Sequence, residues 1–231
     1  HIFTLLGIET QETFLGTYKG ENVVVIQDFL EEDEVFVPFN GVGDSSLEQD
    51  KEKYQYSYED IITMLQENVK LTDVEQTVNL FWDMFVIDAF IANFDRHGSN
   101  WGFIKKNNRY RLSPVFDNGS SLFPQLNTDE KIETVLRNQE EIDRRIYKFP
   151  TSQVKNKGKK SSYYEIISSL AFEECNHALV RIVERTDFDK INKLIESVEN
   201  ISEQRKKFYK IILQQRYEKI LLKSYHELMA K

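Results

Sequence analysis

Apolar residues recur along this chain with two periods, and the change from one to the other marks out its elements. Val74, Val78, Phe81, Trp82, Phe85, Val86, Ala89 and Phe90 fall three and four residues apart, the spacing of side chains along one side of an α-helix. The stripe is too wide for a surface helix, so the pattern predicts a central, buried helix over 72–93. Thr72-Asp73-Val74-Glu75 supplies a capping box at its start. Its Trp and Phe residues are read as packing. Two shorter stretches read as hairpins. Residues 12–18 and 22–29, with the β-branched run Val23-Val24-Val25-Ile26, flank a turn at Lys19-Gly20-Glu21. Residues 101–104 and 110–112 flank a polar turn over 105–109. From residue 163 the pattern is helical to the end, over 163–170, 172–185, 187–198 and 202–230. Ile211, Ile212, Leu213, Ile220, Leu221, Leu222 and Leu228 take the buried side, and Cys175 is a small apolar filler.

The remaining stretches are polar. Residues 31–50 open with Glu31-Glu32-Asp33-Glu34 and read as a solvated connector. Tyr54, Tyr56 and Tyr58 alternate with polar residues ahead of a short helix over 58–67. Residues 148–162 carry the chain's one basic patch and read as a solvated loop. Ile2, Phe3, Leu5 and Leu6, ended by Gly7, read as the last turns of a helix whose start lies upstream, so the sequence reads as a piece of a longer protein.

With 231 residues, 40% of them hydrophobic, the chain buries one substantial core. A net charge of −8 argues against direct nucleic-acid or anionic-membrane binding. The longest apolar run, from Met84 to Phe94, is broken by Asp88 and Asn93, so no membrane span is expected. The single cysteine excludes an internal disulfide and a zinc framework, which fits a reducing compartment.

Candidate chemistry concentrates in residues 93–119, N-F-D-R-H-G-S-N-W-G-F-I-K-K-N-N-R-Y-R-L-S-P-V-F-D-N-G. Asp95 and Asn100 lie in a loop too rich in Asn, Gly and Ser to continue the helix. The hairpin that follows folds back on itself and returns Asp117 close to where Asn100 left. Two oxygen ligands at the ends of one hairpin suit Mg²⁺, which takes one or two protein carboxylates plus phosphates and water. Asp95, further along the same rim, is placed to accept a proton from an attacking hydroxyl.

This stretch resembles the catalytic core of HipA-like kinases, a bacterial branch of the protein-kinase-like fold. The resemblance rests on Asp95-Arg96-His97 with Asn100, the Trp101-Gly102 pair with two apolar residues behind it, and Leu112-Ser113-Pro114-Val115-Phe116-Asp117-Asn118-Gly119. It implies an α+β, bilobal protein-kinase-like fold of HipA type. Residues 1–30 would be the tail of the small lobe with the hinge, and residues 31–231 the helical large lobe. It implies an ATP-dependent serine/threonine kinase of toxin or effector type. Asp95 would orient the substrate hydroxyl, and Asn100 and Asp117 would hold Mg²⁺. The nucleotide would touch Gln27, Asp28 and Phe29 at the hinge, with His97, Asn100 and Asp117 below it. His97 is also read as shaping the loop by bonding backbone, and Asn93 as ending the helix in the left-handed conformation.

The resemblance further implies a protein substrate, an antitoxin or regulatory partner, and a bacterial cytoplasmic location, with a secreted effector as the other setting. A glycine-rich phosphate loop and a strand lysine are expected upstream of His1, and the 231 residues alone are expected to be inactive. Lys155, Lys157, Lys159 and Lys160 gain a sharper reading, near the transferring phosphate or an acidic substrate, with Ser152, Ser161 and Ser162 as modification sites. Two alternatives stay open. Asp95-Arg96-His97 with Asn100 is also similar to phosphatidylinositol 3/4-kinases, which would make the substrate a lipid or small molecule. A catalytically degenerate kinase fold serving as a binding module is the other.

Overall fold

The computed structural model describes residues 1–39, 73–156 and 159–231. The helix expected over 58–67 and the three tyrosines around it lie outside these residues. One helical turn, α1 (Ile2–Leu5), opens the chain and ends at Gly7, whose φ is 79°. Strands β1 (Thr13–Tyr18) and β2 (Glu21–Ile26) then pair antiparallel, Thr13 with Ile26 through Tyr18 with Glu21. Lys19 and Gly20 both take positive φ, as a two-residue hairpin turn requires.

A short strand, β3 (Val35–Pro38), joins the hairpin of β4 (Gly102–Lys106) and β5 (Arg109–Leu112) in an antiparallel sheet ordered β3-β4-β5. This corrects the expectation of a solvated connector from residue 31. Val35-Phe36-Val37 is too short to show a period, yet it pairs with Lys105, Ile104 and Phe103. Glu31 and Glu34 of the acidic run reach Lys106 and Arg111 on that hairpin. Gly102 makes the pairing feasible: a Cβ there would lie 2.4 Å from the Val37 carbonyl oxygen. Beside it the rings of Phe39 and Trp101 stack at 4.0 Å. The β4–β5 turn is two residues, Asn107 and Asn108, both at positive φ.

The axis of the molecule is α2 (Val74–Ile91), and every residue from Phe81 to Ile91 is buried. Each large apolar side chain removed from water there contributes roughly 1.5–3 kcal/mol, which makes this helix the main organiser of the core. Its cap is Asp73, which accepts from the Gln76 amide at 2.9 Å, one residue later than the expected capping box.

Beyond β5 the chain forms α3 (Asp129–Leu136) and α4 (Gln139–Asp143), capped by the side chains of Thr128 and Asn138. A π-helical turn (Arg144–Lys148) leads into a third hairpin, β6 (Thr151–Asn156) and β7 (Lys159–Ser162). The loop expected over 148–162 is thus a hairpin. Ser152, Val154 and Ser162 are buried, and this inward alternation is hidden in the sequence by the lysines between them. Ser152 Oγ donates to the Val154 carbonyl, and Ser162 closes a capping box with Glu165. Both serines are therefore structural.

The helices α5 (Tyr163–Ser169), α6 (Glu173–Arg185), α7 (Phe188–Ser197) and α8 (Glu203–Arg216) follow. A π-helical segment (Tyr217–Leu222) joins α8 to α9 (Lys223–Met229). These elements fall where the periodicity places helices. Helix α6 packs along α2. Leu179, Ile182, Phe208, Ile212, Leu213, Ile220 and Leu221 are fully enclosed, and Cys175 is buried among them.

Candidate functional site

Helix α2 ends at Ala92, which takes the left-handed conformation (φ 57°, ψ 43°). The expectation placed that turn at Asn93, whose side chain has another task. Its Nδ2 donates to Asp88 Oδ1 at 2.9 Å, and its Oδ1 accepts from the Asp95 amide at 3.1 Å. The loop that follows is therefore tied to the last turn of the helix at its first residue.

Asp88, fully buried one turn before the helix end, is the anchor. Arg96 grips it with two bonds, Nε to Oδ2 at 2.8 Å and Nη2 to Oδ1 at 3.1 Å. The same guanidinium then reaches both arms of the site. Nη1 donates to the carbonyls of Asn100 (2.8 Å) and Phe116 (2.7 Å), and Nη2 donates to Asn118 Oδ1 (2.6 Å). Burial alone disfavours the charge of Arg96, but Asp88 outweighs it and raises the guanidinium above its ordinary pKa. Tyr163 sits in the same buried field, and burial first, then the charge of Asp88, pushes its phenol well above the usual range.

Around this clamp the loop closes on itself. The amide of His97 donates to the Asp95 carbonyl and that of Asn100 to the His97 carbonyl, both at 2.8 Å. Asn100 Nδ2 donates to the Asp95 carbonyl at 2.7 Å, which turns its Oδ1 the other way. His97 Nδ1 accepts from the Ser99 amide at 3.2 Å, the backbone contact expected of it, and its Nε2 lies 3.7 Å from Asp95 Oδ1. Both side chains are about half exposed, 44% for His97 and 47% for Asp95.

Asp117 stands between the two residues that Arg96 holds, Phe116 and Asn118. Its φ is 50° and its side chain is exposed; aspartate is among the few residues that enter this region without large strain. Leu122 and Phe123 share the conformation (φ 55° and 60°). They pack the following stretch against the helix end, where the Leu122 amide donates to the Ile91 carbonyl at 2.9 Å. Asp95, His97 and Asn100 thus share one loop, and Arg96 ties that loop to the residues on both sides of Asp117.

The hinge candidates connect to the site through two contacts. Residues 9–11 run beside Val115, with Val115 N bonded to Glu9 O and Gln11 N to Val115 O, and Gln11 Nε2 donates to the Gln27 carbonyl at 3.0 Å. Phe29, Phe36 and Phe116 form a ring cluster, with Phe29 to Phe116 at 5.6 Å and Phe36 to Phe116 at 5.2 Å. The backbone of Gln27 is already engaged at both its N–H and its carbonyl. The Asp28 carboxylate accepts from the Leu30 amide. The backbone of Asp28 and Phe29 forms no hydrogen bond among the described residues.

Two members of the site escaped the sequence reading, Asp88 and Asn118. Asp88 registers there only as an interruption of an apolar run. Yet a lone carboxylate on the buried side of a helix needs a cationic partner, and that is the signal that could have found it. Among the described residues no three Asp, Glu, His or Cys side chains cluster as a metal cage. Asn100 and Asp117 fit an ion that takes its other ligands from phosphates and water.

A family model for the HipA-like C-terminal domain matches residues 2–201. The serine/threonine-protein kinase CtkA of Helicobacter pylori is 37% identical over 224 residues, which cover 96% of this chain and 68% of that protein. The crystal structure of the H. pylori proinflammatory kinase CtkA superposes with a TM-score of 0.92 at 34% identity, over all of this chain and 84% of that one. HipA of Shewanella oneidensis, solved with HipB and operator DNA, has a TM-score of 0.64 at 13% identity, over 97% of this chain and 55% of its own.

Proposed function

The chain belongs to the HipA-like C-terminal domain family, and from that premise we propose that it is the ATP-dependent core of a serine/threonine protein kinase. In this reading residues 1–30 are the end of the small lobe and the hinge, and residues 31–231 form the large lobe. The observation that carries it is the placement of Asn100 and Phe116 carbonyls on one nitrogen of Arg96. That nitrogen ties the backbone of Asn100 to that of Phe116, the residue before Asp117, and the Asn100 side chain bonds the Asp95 carbonyl, which supports a shared role for Asp95, Asn100 and Asp117.

Asp95 orients the attacking hydroxyl and takes its proton, a task worth about 10²–10⁴-fold in rate. His97, bonded to the loop backbone through Nδ1, holds the shape of the loop and keeps its Nε2 near Asp95. Asn100 presents Oδ1, and Asp117 its carboxylate, toward the phosphates. Mg²⁺ bound there would neutralise the charge that develops on the transferring phosphoryl group. The adenine edge meets the backbone around Asp28 and Phe29, over the Phe36 and Phe116 rings.

The relation to HipA carries the fold alone. The relation to CtkA, at 37% identity, favours a protein hydroxyl over a lipid one. The test is a mass-shift assay with the full-length protein, ATP and Mg²⁺ on protein and phosphoinositide substrates. Phosphoserine or phosphothreonine on protein supports the proposal; modification of the lipid alone overturns it in favour of the phosphoinositide-kinase reading.

A further inference from the structure

The basic hairpin β6–β7 takes no part in the steps above, yet both of its ends are rooted in the site. At the start of β6, the Phe149 ring packs against Phe94 (5.9 Å) and Phe123 (6.0 Å). Phe94 immediately precedes Asp95, and Phe123 lies in the stretch that follows Asp117. At the other end β7 runs directly into Tyr163, which shares the buried field of Asp88 and Arg96. Residues 148–162 hold five lysines and no acid in a chain of net charge −8.

The register sharpens this. Ser152 and Val154 are buried, and past a register irregularity Lys155 lies directly across from Lys160, with Lys159 the next residue on β7, opposite Asn156. Like charges directly opposite each other destabilise a strand pair. Among the described residues no carboxylate pairs with Lys155, Lys159 or Lys160. The arrangement leaves the positive charge of these lysines uncompensated among the described residues.

We infer that the end of the β6–β7 hairpin away from its base, through Lys155, Lys159 and Lys160, docks an acidic segment of the protein substrate beside the phosphate acceptor. The inference rests on the kinase reading above and names the substrate class of that site. Thr151 pairs with Ser162 and Lys155 with Lys160, only two residues further along β7, so the paired lysines lie about 7 Å beyond the base of the hairpin at ~3.3 Å per residue. An extended peptide covers that span in about two residues, so the acidic side chains of the substrate are expected two or more positions from the acceptor serine or threonine. Nucleic acid fits this site less well, because a few lysines on a molecule of net charge −8 fall short of the broad basic groove with stacking rings that it calls for.

The test uses the full-length protein and two fluorescent peptides. One carries a serine with a run of glutamates at that separation, and the other has glutamines in their place. Anisotropy measures binding without turnover, and transfer from ATP is measured separately. Lys155→Gln/Lys159→Gln/Lys160→Gln is expected to weaken binding of the acidic peptide about tenfold, as the loss of two or three exposed ion pairs implies. Replacement of the same lysines by Glu weakens it further, while transfer to the neutral peptide stays unchanged. Equal affinity of wild type and both variants for the acidic peptide overturns the docking surface, as does tighter wild-type binding to a single-stranded RNA than to the peptide. Acidic-peptide binding with no transfer to either peptide overturns the kinase reading instead, so the two failures are told apart.

Discussion

Asp88 and Arg96 form a buried two-point ion pair beneath the candidate site, with side chains 1% and 6% exposed. Helix α2 supplies the carboxylate. The arginine it holds supplies the bonds that fix the Asn100 and Phe116 carbonyls and the Asn118 side chain. A single side chain thus registers the loop after α2 against the segment after β5.

Removing one partner of such a pair leaves an uncompensated buried charge. Arg96→Met is expected to cost about 3–5 kcal/mol in urea unfolding. Arg96→Lys keeps the charge but has one nitrogen where Arg96 uses three, so it should lower phosphoryl transfer by about tenfold or more while losing less stability than Met. Equal stability of wild type and Arg96→Met would show that the pair is not structural.

In the proposed reading Asp117 faces the phosphates, and it is expected to carry the Mg²⁺ dependence of nucleotide binding. Titration calorimetry of ATP with and without Mg²⁺ should show that dependence vanishing in Asp117→Ala. Asn100→Ala should act in the same direction but less, because a neutral amide oxygen holds a divalent ion less firmly than a carboxylate. An unchanged Mg²⁺ effect in Asp117→Ala would remove the residue from the site.

How far the sequence reveals this arrangement depends on the range of the interaction. The central helix, both early hairpins and the C-terminal helices are legible because local periodicity decides them. Strand β3 is not, since its pairing partner lies more than 60 residues away and its apolar run is three residues long. The hairpin of β6 and β7 is missed for a different reason: the lysines along it make strands that bury Ser152, Val154 and Ser162 read as a charged loop. Within the site, Asp95, His97, Asn100 and Asp117 stand out as residue types at a spacing. The Asp88–Arg96 clamp joins a helix interior to a loop, a contact no short-range pattern encodes. Asn93 shows the same limit: its side chain is used in tertiary bonds, and Ala92 turns the chain in its stead.

The single cysteine gives a check on the core. Cys175 is buried, and burial, with a smaller contribution from Glu174, pushes its thiol well above the ordinary range. It therefore stays protonated through neutral and mildly alkaline pH, where an exposed thiol ionises, and only the thiolate reacts. A disulfide reagent at about pH 8 is expected to leave the native protein unlabelled and to modify one thiol in denaturant. Rapid labelling of the native protein would place Cys175 at the surface.

The central claim is that Asp95 serves the chemistry of phosphoryl transfer and not the binding of ATP. The most direct measurement is the rate of transfer from radiolabelled ATP by full-length wild type and Asp95→Asn, beside the ATP affinity of each. The replacement keeps the size of the side chain and the backbone bonds that Asn93 and Asn100 make to residue 95. The account predicts a fall in rate of at least ~10²-fold with ATP affinity nearly unchanged; an Asp95→Asn protein that transfers phosphate at the wild-type rate would contradict it.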